Sequence, residues 1–336
     1  MKSRTAKAPS PFHAGLRRAA LVATPPARHV GGPADASDPM TPPPPLFDTA
    51  LARARLARAR RAGYADFLLA RCADDLDDRL GAVLRRFGRA VDLGTPLPDV
   101  ALRLTASGRC DSVLRLAPVQ EVVPGLPLAV GDAELLPLAP ASVDLAVSLL
   151  ALQHVNDLPG ALAQLRRALR PDGLFIACLL GGRSLTELRQ AFGQAESEVE
   201  GGISPRVAPF AEVREMGSLL QRAGFALPVT DVETLTVRYA DPFALLRDLR
   251  AMGLTNVLTE RRRTPLRRAT LMRAAAIYAE RFADPDGRLR ATFEILWLSG
   301  WAPHASQQVP LKPGSARTRL AEALGTRERD PLRTPS

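Results

Sequence analysis

The stretch RAVDLGTPLPDVALRL, residues 89–104, decides the fold of this chain. A short apolar strand is predicted over 90–93 and ends in Asp-Leu-Gly, and a helix is predicted over 99–106. A strand that turns sharply into a helix builds the nucleotide-binding turn of a doubly wound sheet. The connecting residues 95–98 read Thr-Pro-Leu-Pro, where such turns usually carry glycines. The stretch therefore predicts the fold and raises a question about the ligand.

Strands and helices alternate along the rest of the chain. Short apolar runs predict strands, and apolar residues at helical spacing predict helices. The predicted strands are 90–93, 112–116, 127–130, 143–150, 174–180, 229–239 and 291–299. The predicted helices are 99–106, 158–169, 212–223, 242–252 and 265–282, with a short helix near Val119. This alternation predicts an α/β fold with a mostly parallel, doubly wound sheet, and the nearly all-apolar run 143–150 is typical of a central strand.

Changes in composition divide the chain into four segments. Residues 1–45 are rich in Pro, Ala and Arg and are expected to be disordered. Residues 46–88 predict N-terminal helices with breaks near Gly63 and Gly81, residues 89–310 the sheet domain with C-terminal α+β additions, and 311–336 a flexible tail.

Two alternatives remain open for residues 1–39. They are basic and poor in acids, as a transit peptide would be, which would place the protein in the mitochondrial matrix. Alternatively, Met40 is the true first residue, and a bacterial protein of this kind would be cytoplasmic. No run of 18 uncharged apolar residues predicts an integral membrane segment.

The composition argues against several classes of function. The net charge is +10, but the excess is arginine spread along the chain without interleaved aromatics, so no nucleic-acid partner is predicted. The cysteines, Cys72, Cys110 and Cys178, are too far apart in sequence to indicate a disulfide framework or a zinc site. With four histidines in the chain, no metal is predicted either.

A long central block resembles a known family. Residues 131–182, GDAELLPLAPASVDLAVSLLALQHVNDLPGALAQLRRALRPDGLFIACLLGG, look like the core of class I S-adenosylmethionine (SAM)-dependent methyltransferases. Later pieces narrow the resemblance to the methyltransferase-fold assembly factors of respiratory complex I, and more distantly to malonyl-carrier-protein methyltransferases. Those pieces are LTELRQAF, AESEVEGGISPRVAPF, LLQRAGF, LRAMGLTN, AAAIYAERFADPDG and GWAPHASQ.

The resemblance implies a seven-stranded Rossmann-like sheet with SAM over the ends of strands 1, 2 and 4. The residues it places around the cofactor are Asp92, Gly94, Asp132, Ala133 and Leu149, and those at the reacting centre are Gln153 and His154. Gly94 would let the backbone approach a ligand, and Asp132 would accept from the adenine amine. Structural roles stay open for two of them: Asp132 as a turn or cap residue, and His154 as a packed histidine.

Two features depart from the family pattern. The family reads Asp-x-Gly-x-Gly-x-Gly where this chain has Pro96 and Pro98, each of which removes an N–H donor, with Thr95 as the expected helix cap. The acid that normally binds the ribose after strand 2 is replaced by Ala117 and Pro118. Each lost charge-assisted hydrogen bond would cost roughly 1.5–3 kcal/mol, so the fold is better indicated than cofactor affinity.

Several functions therefore compete. The leading interpretation is a SAM-dependent methyltransferase of unknown acceptor, either a small molecule, a carrier protein or a protein side chain. The second is a non-catalytic assembly factor or interaction module, active in complex I biogenesis. An iron oxygenase would need two histidines and a carboxylate, for which His154, Asp157 and His304 are the candidates, and a dehydrogenase would need a GxGxxG turn that is missing. The sequence does not indicate the oligomeric state.

Overall fold

The computed structural model describes residues 44–307. The predicted N-terminal extension lies almost wholly outside these residues, and the predicted C-terminal tail lies wholly outside them. The two alternatives for residues 1–39 therefore stay predictions.

Helices and strands alternate as the sequence predicts. The helices are α1 (Thr49–Ala62), α2 (Phe67–Gly81), α3 (Asp99–Ala106), α4 (Leu158–Ala168), α5 (Thr186–Glu200), α6 (Val213–Arg222), α7 (Pro242–Ala251) and α8 (Arg268–Phe282). The strands are β1 (Phe87–Leu93), β2 (Cys110–Ala117), β3 (Leu128–Val130), β4 (Val143–Leu149), β5 (Leu169–Leu180), β6 (Ala226–Tyr239) and β7 (Leu289–Trp301). None of the helices within residues 44–307 combines the length and the apolar character needed to cross a bilayer.

All seven strands form one sheet in the order β3-β2-β1-β4-β5-β7-β6. The neighbours from β3 to β5 are parallel, whereas β7 runs antiparallel to both β5 and β6. The order reverses between β1 and β4, which pair from Ala90 with Leu145 to Asp92 with Val147. The predicted mostly parallel, doubly wound sheet is confirmed, and its switch point is where ligands bind in such folds.

The sheet is covered on both faces, each with its own hydrophobic cluster. One cluster joins the sheet to α2, α3, α5 and α8, and the other joins it to α4 and α6. Strand β4 is buried along its whole length because its residues face these two clusters alternately. The apolar run in the sequence therefore reflects burial on both faces of the sheet.

Three local predictions were wrong. No helix forms near Val119, because 118–127 is a loop between β2 and β3. Strand β5 begins at Leu169 instead of the predicted residue 174, with an irregular register against β4. The sequence analysis assigned no structure to 186–200, which forms α5 and packs extensively on α8.

Candidate functional site

The turn after β1 is held by a buried ion pair. Asp92 and Arg115 are both 0% exposed, and the Arg115 Nη1 donates to Asp92 Oδ2 at 2.5 Å. Arg115 Nη2 also donates to the Thr95 carbonyl oxygen at 2.8 Å. Burial raises the pKa of the Asp92 carboxyl, whereas Arg115 and Thr95 act to lower it. Both carboxylate oxygens of Asp92 therefore accept hydrogen bonds from within the protein, and these contacts hold the turn in place.

The same arginine links the turn to the N-terminal helix. Arg115 Nε donates to Glu121, and Glu121 also pairs with Arg60 of α1. We call the four residues Asp92, Arg115, Glu121 and Arg60 the ionic chain. Its charges alternate, which is how buried charges are tolerated away from water. The ionic chain thereby connects the end of β1 to helix α1.

Thr95 joins the turns after β1 and β4. Its hydroxyl donates to Asp92 Oδ1 and accepts from the Leu149 N–H at 3.2 Å. Ser148 adds a hydrogen bond from its hydroxyl to the Leu93 carbonyl oxygen at 2.8 Å. The predicted helix cap at Thr95 was wrong, because α3 starts at Asp99 with Pro98 as its N-cap residue. The hydroxyl joins two strands instead of capping a helix.

Two residues with left-handed backbone lie where the two turns meet. Gly94 has φ +71°, and a Cβ added there would lie 3.1 Å from the Ala151 Cβ. Leu150 has φ +50° although it is not a glycine. Left-handed backbone at a non-glycine residue is costly and clusters at functional sites. The close approach explains why this position requires glycine.

These turns form the floor of a cavity of about 1020 Å³, a volume that includes the solvent-filled opening of the cavity. We call it the first cavity. Five of the predicted site residues line it: Gly94, Asp132, Ala133, Gln153 and His154. Asp92 and Leu149 do not line it, because both side chains are fully buried behind its wall. The structure thus brings most of the predicted set together, while the role of each residue in binding stays a prediction.

Gln153 carries an unpaired acceptor in this cavity. Its side chain is 8% exposed, and its Nε2 donates to the Leu150 carbonyl oxygen at 2.7 Å, which fixes the orientation of the amide. Its Oε1 is buried and has no hydrogen-bond partner among the described residues. An unpaired buried acceptor costs about 1–3 kcal/mol. A ligand with a hydrogen-bond donor would satisfy this atom.

Helix α1 covers the first cavity from the outside. Arg53 of α1 lines the cavity and forms an ion pair with Asp132, so the carboxylate expected to bind adenine already has a partner. The Asp132 Oδ1 also accepts from the Glu134 N–H at 2.9 Å, which is the turn-forming role left open by the sequence. The chain before α1 is anchored by Asn156, whose amide exchanges hydrogen bonds of 2.7 and 3.1 Å with the Phe47 backbone.

His154 lies between the first cavity and a second one. It lines both cavities, and its ring meets Phe47 edge-on at 5.3 Å between centroids. Burial, with a smaller effect of the Arg55 charge, lowers the pKa of His154 to about 4. The imidazole is therefore neutral at pH 7 and presents one donor and one acceptor nitrogen. Both the packed and the reactive interpretations of this residue are compatible with that state.

The two departures from the family pattern have different consequences. Pro96 lines the first cavity, whereas Pro98 does not, and both precede the first residue of α3. The helix therefore keeps the N–H donors of its own first turn, contrary to the expectation from sequence. Pro118 lines the cavity after β2, and the first acid that follows the strand, Glu121, is held in the ionic chain. No ribose acid stands at the end of β2.

The other candidate ligands for a metal are engaged elsewhere. Asp157 caps α4 through the Gly160 N–H at 2.8 Å, and His304 contacts the Ser306 hydroxyl at 2.7 Å in an exposed position. Within residues 44–307, no three His, Cys, Asp or Glu side chains are grouped as metal ligands.

Sequence reasoning missed several residues of this site. Arg115 interrupts an apolar strand, and its partners lie 23 residues before it and 6 after it, so no local pattern marks the pair. Arg53 and Tyr64, which also line the first cavity, come from the predicted N-terminal helical segment 46–88, in which no site residue was predicted. Helical spacing from Thr49 through Ala52, Arg53 and Leu56 was the available signal that one face of α1 is covered.

The sheet order and the cavity at its switch point define the class of protein: a Rossmann-like domain of the SAM-dependent methyltransferase class. Residues 96–177 match the family described as "Methyltransferase domain".

Similar proteins narrow the class. The chain is 37% identical to "Arginine-hydroxylase NDUFAF5, mitochondrial" of Danio rerio over 76% of its length and 82% of that protein's. The Homo sapiens protein of the same description is 36% identical, over 82% of this chain and 83% of its own. The chain therefore belongs to the NDUFAF5 family of methyltransferase-fold proteins. A "Malonyl-[acyl-carrier protein] O-methyltransferase" of Xylella fastidiosa (strain M23) is 43% identical over 53% of this chain and 58% of its own.

Proposed function

We propose that this protein binds SAM in the first cavity and is a methyltransferase acting on an acceptor that enters beside His154. The observation that carries the proposal is the Gln153 Oε1, a buried acceptor without a partner among the described residues. It lies just past β4 at the switch point, where this class of fold binds ligands. A cofactor with an ammonium group would supply the missing donor.

The remaining cavity residues fit the same cofactor. Gly94 lines the cavity and carries no side chain, so a ligand can approach its backbone. Asp132 and Ala133 line the opposite part of the cavity, where an adenine ring would be held. The Asp132 carboxylate would bind an exocyclic amine once Arg53 releases it.

When bound, SAM would supply a methyl group on a sulfonium: an acceptor's lone pair would form a bond to the methyl carbon while the carbon–sulfur bond breaks, leaving S-adenosylhomocysteine (SAH). The chain has to hold donor and acceptor in line and exclude water. Helix α1 covers the first cavity and serves the second need. His154 lies in the wall between the two cavities, and its neutral imidazole can accept a hydrogen bond from an acceptor bound beside it.

Calorimetric titration with SAM and SAH tests this proposal. The control variant Gln194→Leu on α5 should bind SAM and SAH with the same affinities as the wild type, since Gln194 lines neither cavity. Gln153→Leu should bind each at least about tenfold more weakly, because the acceptor is gone. Folded wild type that gives no heat at millimolar ligand would reject cofactor binding and favour the non-catalytic assembly factor.

Arginine hydroxylation is the second candidate. It is favoured by the relatives that this chain matches over most of their length, which carry that description, whereas the named methyltransferase is matched over little more than half. The "mitochondrial" part of the same description favours a transit peptide in residues 1–39. Mass spectrometry of candidate acceptor proteins incubated in air with the protein, SAM and an added reductant distinguishes the two: a methyl group gained from SAM supports methylation, and an oxygen atom gained from dioxygen supports hydroxylation.

A further inference from the structure

A second cavity of about 720 Å³, measured with its open mouth, adjoins the first. The two share His154, Leu180 and Leu254, so these side chains form the wall between them. The rest of the second cavity is built from α5, α7 and the segments 206–210 and 254–257. A group bound there would lie next to a ligand in the first cavity, with His154 between them.

Most of the lining is apolar. Leu188 and Phe192 come from α5, and Leu246 and Leu249 come from α7. The polar residues that line it are His154, Arg206, Thr255 and Asn256. Among the described residues that line it there is no aspartate or glutamate. A cationic group would therefore lose its hydration without gaining an opposite charge.

The arginine in this cavity already has its counter-ion. Arg206 Nε donates to Glu196 Oε1 at 2.7 Å, and Glu196 is 1% exposed. Burial acts to raise the pKa of Glu196, but hydrogen bonds from Ser204 and Arg206 outweigh it and lower the pKa. Both partners are therefore charged at pH 7. An anionic ligand would have to compete with a preformed carboxylate partner.

Asn256 is also committed to the protein. Its Nδ2 donates to the Pro205 carbonyl oxygen at 2.7 Å, and its Oδ1 accepts from the Leu258 N–H at 3.0 Å. His154 is neutral at pH 7 because burial lowers its pKa. The cavity therefore offers apolar surface and little free charge.

From this lining we infer that the second cavity binds an uncharged, apolar chain, and that this chain belongs to the acceptor. The assignment to the acceptor rests on the proposed function, since it requires the cofactor in the first cavity. A guanidinium or carboxylate group is excluded from the second cavity. A charged acceptor would have to keep its charge outside it.

Three ligands with the same eight-carbon chain test the inference: octanamide, octanoate and octylguanidinium. Calorimetry at pH 7 should give the tightest binding for octanamide, with both ions at least about tenfold weaker. A series from butanamide to octanamide should gain roughly fourfold in affinity per methylene. Equal affinity for the three head groups, or no dependence on chain length, would overturn the inference.

Val207→Trp locates the binding. Val207 is half-buried and lines the second cavity but not the first, so the larger ring should reduce octanamide affinity at least about tenfold. Val229→Trp is the matched control, because Val229 is exposed on the edge strand β6. Unchanged octanamide affinity in a folded Val207→Trp variant would place the ligand elsewhere. If Val207→Trp does not fold, the head-group and chain-length series in the wild type still decides.

SAH titration in parallel separates this inference from the proposed function. Binding of octanamide without binding of SAH would reject the cofactor and the acceptor role together while leaving an apolar site. Binding of SAH without binding of octanamide would reject the apolar site alone.

Discussion

The turns after β1 and β4 lie side by side at the switch point but treat their polar groups in opposite ways. After β1, the Asp92 carboxylate is paired with Arg115 and Thr95, and nothing is left for a ligand. After β4, the Gln153 Oε1 stays buried and unpaired. The turn after β1 is thus a rigid frame held by internal contacts. The turn after β4 keeps a hydrogen-bond acceptor that no described residue uses. The free hydrogen-bonding group at the switch point is thus on the β4 side.

The largest effect is expected from breaking the frame. Arg115→Met leaves Asp92 buried without a counter-charge, leaves Glu121 with Arg60 alone, and should lower the free energy of unfolding by about 3–5 kcal/mol. Chemical denaturation measures it. Arg103→Met is the control, since Arg103 binds Asp74 and Asp77 on the surface and should cost under about 1 kcal/mol. Equal losses in the two variants would mean that the ionic chain does not hold the turn.

On the β4 side, His154 should make the stability of the protein depend on pH. The pKa of His154 in the folded protein is about 4, below its ordinary value, so the unfolded chain takes up a proton first as the pH falls. Its contribution to stability is complete above about pH 6.5 and should fall by about 3 kcal/mol by pH 4.

Denaturant unfolding between pH 4 and 7.5 tests this for the wild type and two variants. His154→Gln should flatten the profile in this window, whereas His304→Gln, at an exposed histidine, should keep the wild-type slope. A His154→Gln profile parallel to the wild type would show that another group causes the loss.

The contact between the two turns can be tested at Gly94. Gly94→Ala places a methyl group against Ala151 in a left-handed backbone and should cost more stability than the about 1–2 kcal/mol of the backbone alone. Gly108→Ala has a similar φ of +65° but meets nothing within 4 Å, so it measures the backbone cost alone. Gly94→Ala should also weaken SAH binding, and Gly108→Ala should not. Identical behaviour of the two would remove the steric argument.

The sequence predicts the sheet well because a strand that is buried on both faces of the sheet consists of consecutive apolar residues, as in β4. It predicts α3 at 99–106 with the observed bounds. It missed α5, although Leu188, Ala191, Phe192 and Ala195 follow helical spacing, because the many polar residues between them obscure the buried face.

The site is predicted less completely. Residues that follow strand ends, such as Gly94 and Gln153, were found because parallel strands end at one edge of the sheet. Arg115 and Arg53 were not, since their partners are distant in the chain and arginine is abundant throughout. Asp92 was placed near the cofactor by position, yet the buried arginine behind it turns it into the frame of the turn.

The smallest effect concerns the outer rim, where Arg53 holds Asp132. The side chains are 43% and 35% exposed, so Arg53→Gln should change the free energy of unfolding by less than about 1 kcal/mol. Because the substitution frees the Asp132 carboxylate, SAH affinity should rise about two- to fivefold. Arg71→Gln is the control, since Arg71 forms exposed ion pairs with Asp75 and Glu233. A fall in affinity with Arg53→Gln alone would mean that Arg53 contacts the ligand, so that recognition extends from the β4 side onto α1.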